Sequence, residues 1–157
     1  NPKINNMNIT IGCDHAGVDL KDEIKQRCNE IYTGGMSVDI MDVGCFSNDS
    51  VDYPDITSKA VDAYRRAKET NEYVLGILIC GTGIGMSISA NKYKGIRAAL
   101  IVDPHSAQMS RQHNDANFMC LGARMVTNKE MDWVKIFANT EFEGGRHKRR
   151  IEKIEEK

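Results

Sequence analysis

No stretch of this 157-residue chain approaches the roughly 20 apolar residues that a membrane-crossing helix needs, so no spanning segment is predicted. Excess charge of either sign is also missing, because 21 Lys and Arg against 22 Asp and Glu leave a net charge of −1. Without an overall positive field, binding to nucleic acid or to an anionic membrane is not expected, and any phosphate site must be local. The five cysteines, Cys13, Cys28, Cys45, Cys80 and Cys120, are odd in number and include no C-x-x-C pair. That fits neither a disulfide framework nor a zinc site. Reduced thiols in a soluble, cytoplasmic protein are the expectation, with thiolate chemistry open to any cysteine whose surroundings lower its pKa. No metal-ligand spacing stands out, and no metal or other cofactor is expected. Internal repeats and low-complexity segments are lacking too. The length suits one domain with a real core, residues 1–157. The start is polar, unlike a signal peptide. Residues 1–7 are expected to be a flexible or added N-terminus, with Met7 close to the natural start.

What the chain does have is an even succession of short apolar, β-branched runs, at 7–12, 38–43, 73–80, 96–102 and 118–122. These predict strands. Helical spacing lies between them, at Leu20, Ile24 and Cys28 and again at Ile56, Ala60, Ala63 and Ala67. A β-α-β-α alternation with continuous apolar strands predicts a Rossmann-like three-layer α/β/α fold around a five-stranded parallel sheet. The charged tail predicts a C-terminal helix carrying Arg146, Arg150, Ile151 and Ile154.

In such folds ligands bind beyond the carboxyl ends of the strands. Three polar clusters are expected there: Cys13-Asp14-His15, Cys80-Gly81-Thr82-Gly83-Ile84-Gly85, and Asp103-Pro104-His105. The second is the most informative. An apolar strand runs into three alternating glycines and then a helix over 86–91, a pattern that lets backbone N–H groups turn toward an anion. The same field favours a thiolate at Cys80. A tight turn with an inert cysteine fits that stretch equally well, and the G-x-G-x-G spacing is not a dinucleotide fingerprint.

Asp14 and His15 offer a carboxylate and an imidazole for sugar hydroxyls or proton transfer, although an Asp capping the next helix explains the pair as simply. His113, within Arg111-Gln112-His113-Asn114-Asp115, can move protons near neutral pH, or can mark a solvated helix end. His105 reads as a structural turn residue. Arg146 and Arg150 share a helix face and can grip a phosphate together, with Arg124 a third candidate; a solvated basic face is the alternative.

Taken together, Gly12-Cys13-Asp14-His15-Ala16-Gly17, Asp52-Tyr53-Pro54, the stretch ICGTGIGMSISAN at 79–91, SRQHN at 110–114, and Gly144-Gly145-Arg146-His147 with Arg150 closely resemble the type B ribose-5-phosphate isomerases. The likeness runs in order over residues 8–154. It implies a homodimer or homotetramer with active sites between subunits, a sugar phosphate as substrate, and no metal. It further implies Cys80 as the base moving a proton between C1 and C2, with the amides of Gly81, Thr82, Gly83, Ile84 and Gly85 holding the enediolate. Thr82 and His113 would assist ring opening and Asp14 would bind sugar hydroxyls. His15, Arg124, Arg146 and Arg150 would bind phosphate, while Tyr53 and Asn114 would line the site.

An isomerase of a six-carbon aldose phosphate, such as galactose or allose 6-phosphate, shares most of these motifs and is the nearest rival. A non-catalytic phosphate-binding α/β module is the rival from another class. Three departures from the family pattern stand out: a long segment over 65–72, expected to be surface loop; the added charges Lys148 and Arg149; and a thiol, Cys120, in a core strand.

Overall fold

Continuous apolar runs bury both faces of a strand, which forces helices onto both sides of the sheet. A computed structural model of the chain describes residues 6–125 and 127–157 and has this arrangement. The strands are β1 (Asn6–Cys13), β2 (Ser37–Asp42), β3 (Val74–Cys80), β4 (Ala98–Leu100) and β5 (Phe118–Gly122). All pair in parallel, in the order β2-β1-β3-β5-β4. The helices are α1 (Val18–Gln26), α2 (Tyr53–Thr70), α3 (Ile84–Ala90), α4 (Pro104–Gln112), α5 (Glu130–Asn139) and α6 (Arg146–Glu155). Central strands supply the core: Ile9, Ile11, Ile77, Leu78, Ile79, Phe118 and Leu121 are buried in one cluster with Ile56, Ala60, Val61 and Tyr64 of α2.

The expected strands are present, with shifts that have local causes. Asn6 and Met7 belong to β1 rather than to a flexible extension; the expectation for residues 1–5 lies outside the described residues. The run at 96–102 contracts to three residues, β4. Ile96 donates its N–H to Tyr93 O and closes a turn, and Asn91 bonds both the N–H and the C=O of Ala98 on the free edge of the sheet. A side chain that covers edge groups in this way blunts further pairing. Cys28 falls in a 3₁₀ turn after α1. The segment expected as loop over 65–72 is mostly helix, since α2 continues to Thr70. His105 is exposed in the first turn of α4, which Asp103 and Ser106 close reciprocally.

One buried charge shapes the approach to the carboxyl edge. Lys21 of α1 is 1% exposed, and its Nζ donates to Asp42 Oδ1 at 2.9 Å and to Cys45 O at 2.5 Å. It thereby ties α1 to the loop after β2, whose backbone bonds the end of β1 through Cys13 N to Gly44 O and Cys45 N to Cys13 O. Lys21→Met leaves the buried Cys45 O with only the weak Cys13 S–H as a donor, but Asp42 keeps Lys25 at 2.7 Å. The expected loss is therefore about 1–3 kcal/mol, short of the ~3–5 of an orphaned buried ion. Urea unfolding measures it, and an unmoved midpoint would count against the tie.

Candidate active site

The strand order reverses between β1 and β3, and a crevice is expected where their carboxyl ends meet. Cys13 pairs with Ile79 and Cys80 with Gly122, so Asp14, Cys80 and the turn after β5 arrive level with one another. Asp14 N–H bonds Ile79 O at 3.0 Å, and its carboxylate accepts from Ala16 N–H at 2.9 Å. It is therefore a cap, and a buried one beside Cys80. His15 accepts the Val51 N–H on Nδ1 at 3.3 Å, which leaves Nε2 to carry the hydrogen of a neutral ring.

The glycine loop is packed on every side. A Cβ at Gly83, whose φ is +79°, would stand 2.7 Å from Leu100 and 3.0 Å from the backbone of Leu121. One at Gly85 would strike the Tyr53 ring at 2.7 Å, so that ring forms a wall against the loop. Arg124 donates its backbone N–H to Gly81 O, and its guanidinium lies over Gly81, 3.0 Å from where a Cβ would be. Two loop amides are already engaged. Gly83 N–H points at Cys80 Sγ at 3.2 Å and Ile84 N–H at Thr82 Oγ1 at 3.3 Å. The N–H groups opening α3, Gly85's among them, have no partner within the helix.

The cysteines at this edge do different things. Cys13 donates its S–H to Cys45 O and Cys45 donates to Ser47 O, whereas Cys80 receives a hydrogen bond on its sulfur. Burial pushes the Cys13 thiol up to about 12 and raises that of Cys120 as well. Both stay protonated at neutral pH, so neither can act as a base.

A second set of predicted residues gathers elsewhere. Helix α4 runs back from the carboxyl end of β4, and His113, its C-cap, reaches the amino edge of the sheet. His113 stacks on the buried His147 of α6, with ring centroids 4.2 Å apart and planes 11° from parallel. Burial, with His113 and Arg146 adding to it, holds His147 below the usual histidine range. Asn114 O accepts from Arg97, which also holds Glu155 at 2.7 Å and so fixes α6 across the same edge. Arg146 and Arg150 project from α6, exposed and without an ion pair among the described residues, whereas Arg97 and Arg111 are tied to Asp115. A cleft of about 860 Å³ opens at this edge too, but its arginines are these tied ones.

The two sets are far apart. Phe118 pairs with Gly76, four residues before Cys80, so the amino edge lies about 13 Å or more below the sulfur. Cys80, Thr82, Asp14, His15, Tyr53, Arg124 and the glycine loop share one end of the sheet. His113, Asn114, Arg146 and Arg150 share the other. Each chain therefore holds the expected site residues in two halves that face opposite ways.

Comparison with known proteins fits both the sheet and the residue pattern. Residues 9–154 match the family described as Ribose/Galactose Isomerase. Ribose-5-phosphate isomerase B of Escherichia coli is 42% identical over 147 residues, 93% of each chain. Among solved structures, ribose-5-phosphate isomerase B of Clostridium thermocellum superposes with a TM-score of 0.84 at 44% identity, covering 96% of both chains. The type B ribose 5-phosphate isomerase of Trypanosoma brucei gives 0.86 at 38%, covering 96% of this chain and 98% of its own. The chain belongs to the ribose/galactose isomerase family.

For an isomerase, the carboxyl-edge half holds what proton transfer beside a carbonyl needs, namely a sulfur, unspent amide donors and a buried carboxylate. The amino-edge half holds an imidazole and two guanidiniums without an ion pair among the described residues. Glu143 and His147 of this isomerase received no role from the sequence, although both adjoin His113. Their sole signal was the i,i+4 spacing of two possible ligands across Gly144-Gly145, inside a segment that reads as a charged tail.

Proposed function

We propose that this isomerase interconverts ribose 5-phosphate and ribulose 5-phosphate, and that each active site is built from the carboxyl edge of one copy and the amino edge of a second. The observation that carries the shared site is the separation of its halves, which an open five-carbon chain with a terminal phosphate is too short to bridge. A reciprocal two-fold pairing supplies two complete sites per dimer, because each copy contributes one half to each. Exposed apolar side chains around the carboxyl edge, Ile84 and Ile88 on α3, Val102 after β4 and Met125 after β5, give a second copy something to cover.

In the completed site, His113 of one copy and Thr82 of the other open the furanose, while Asp14 binds hydroxyls. Cys80 Sγ then takes the hydrogen from C2 of the open aldose. Negative charge collects on O1, where free loop amides stabilise it, the O2 proton passes to O1, and the sulfur returns its proton to C1. Arg146 and Arg150 grip the phosphate against His15 and Arg124, with Tyr53 and Asn114 as walls. Remote phosphate binding serves to orient the reacting carbons. The whole chain acts as one such domain. Its five unpaired thiols suit the reducing cytoplasm, and among the described residues no helix is long and apolar enough to cross a membrane.

The test is turnover of ribose 5-phosphate and six-carbon aldose phosphates in heavy water with a chelator present. Ribose 5-phosphate should turn over best, undiminished by chelator, with deuterium appearing at C2 of recovered aldose. Preference for a six-carbon sugar overturns the substrate assignment, and absence of both turnover and label overturns the activity.

A further inference from the structure

Glu143 sits between two imidazoles without properly bonding either. His113 Nε2 lies 3.7 Å and His147 Nε2 3.5 Å from the same oxygen, Oε1. Good N–H···O bonds run at about 2.7–3.2 Å, so three donor atoms converge on a common space rather than on each other. All three lie within 4.8 Å of one another. A tetrahedral ion with ligands at about 2.0–2.1 Å sets neighbouring donors about 3.3 Å apart. Both edges to Glu143 need to close by only a few tenths of an ångström. The edge between the imidazoles needs up to about 1.5 Å, which a tilt of one ring out of the stack provides. His147 is buried and serves as the fixed member, while His113 is half-buried and Glu143 exposed, and both can adjust.

The local fold explains why these groups meet. Gly144 and Gly145 both have positive φ, +73° and +59°, so the chain doubles back between Glu143 and His147. Glu143 N–H is pinned on Gln112 O at 3.0 Å, one residue from His113. No sequence motif announces the cluster, because one ligand comes from α4 and two flank a turn.

We propose that His113, Glu143 and His147 form a binding site for a divalent transition metal of the zinc class. Two imidazoles and a carboxylate make a set that leaves a fourth position open, and imidazole favours zinc, cobalt or copper over magnesium and calcium. The guanidiniums of Arg146 and Arg150 on the same helix repel a dication, so the site is a moderate one. The inhibitory consequence rests on the proposed role of His113. A metal on its Nε2 occupies the lone pair needed for ring opening, and filling the site stops the isomerase.

The experiment titrates the intact protein with cobalt(II), read by its visible absorption, then displaces cobalt with zinc, alongside Glu143→Ala and His147→Gln. Glu143 is exposed, so its variant does not threaten the fold. One saturable site per chain is expected, weakened ~10-fold or more in each variant, since loss of even an outer-shell partner costs about that much. Absence of saturable binding at millimolar cobalt, or undiminished binding in both variants, overturns the site. Activity is read separately. Zinc should inhibit the wild type, a chelator should restore it, and the activity remaining in the variants should resist zinc. Cobalt that binds with the expected variant dependence while turnover continues leaves the site standing and removes His113 from ring opening.

Discussion

Cys80→Ala is expected to lower turnover by about 10³-fold or more while leaving phosphate-ligand affinity within a few-fold of wild type. A positioned base contributes ~10²–10⁴ to a proton transfer, and no neighbour can substitute. Cys13 is on the adjacent strand, but burial holds its thiol near 12 and its S–H is donated to Cys45 O. Cys120 lies in the core with its thiol raised by burial. The proposed phosphate grip uses other side chains, Arg146 and Arg150 from the opposite edge with His15 and Arg124 near the loop, so binding and chemistry should separate. The substitution is also mild for the fold. Ala keeps the Cβ that packs at the strand end, and the one interaction lost is the Gly83 N–H to sulfur at 3.2 Å. Calorimetry with a non-isomerisable sugar phosphate checks the binding, and a coupled assay checks the rate. Near-normal turnover would remove Cys80 as the base.

Much of the carboxyl-edge half was legible in the sequence, for a physical reason. Each proposed group sits at or just beyond the end of an apolar strand: Asp14 directly after β1, Cys80 as the last residue of β3 and Arg124 two residues beyond β5. Where parallel strands end together, sequence adjacency becomes spatial adjacency, so reading strand ends was enough. The amino-edge half was not legible in that way. His113 and Asn114 immediately precede β5, and Arg146 sits far along in a charged tail. Only the reversal of direction through α4 and the anchoring of α6 by Arg97 to Glu155 show that they lie at the far edge. A linear list of motifs carries no sign for which end of a sheet a residue occupies.

Smaller misreadings have similar causes. Alternation could not tell a strand from the turn that buries Ile96 at 5% exposure, because burial and strand pairing differ. The segment 65–72 carries Arg65, Arg66, Lys68 and Glu69, whose polarity suggests a loop, yet it continues an amphipathic helix whose Ala67 still packs against the core. Asp14 is a cap by its bond to Ala16 N–H, and it stands beside Cys80, where the proposed site needs a carboxylate.

The second large effect concerns the phosphate grip and the sharing of the site. Arg146 and Arg150 are exposed, four apart on α6 and free of internal ion pairs among the described residues, so replacing both with Ala should leave folding intact. Each charge-assisted contact to phosphate is worth about 1.5–3 kcal/mol, so together the loss in kcat/KM is on the order of 10²–10⁴, mostly in KM. The decisive measurement mixes this double variant with Cys80→Ala after joint unfolding and refolding, read at ribose 5-phosphate concentrations well below the wild-type KM, where each alone has at most about a hundredth of wild-type activity. If one chain's sulfur works with another chain's arginines, a random mixture makes half its dimers hybrid, and each hybrid holds one intact site and one doubly damaged site. About a quarter of wild-type activity should return. If the mixture stays as inactive as its parents although mass spectrometry shows hybrid dimers, sulfur and arginines act within a single chain and the shared site is wrong.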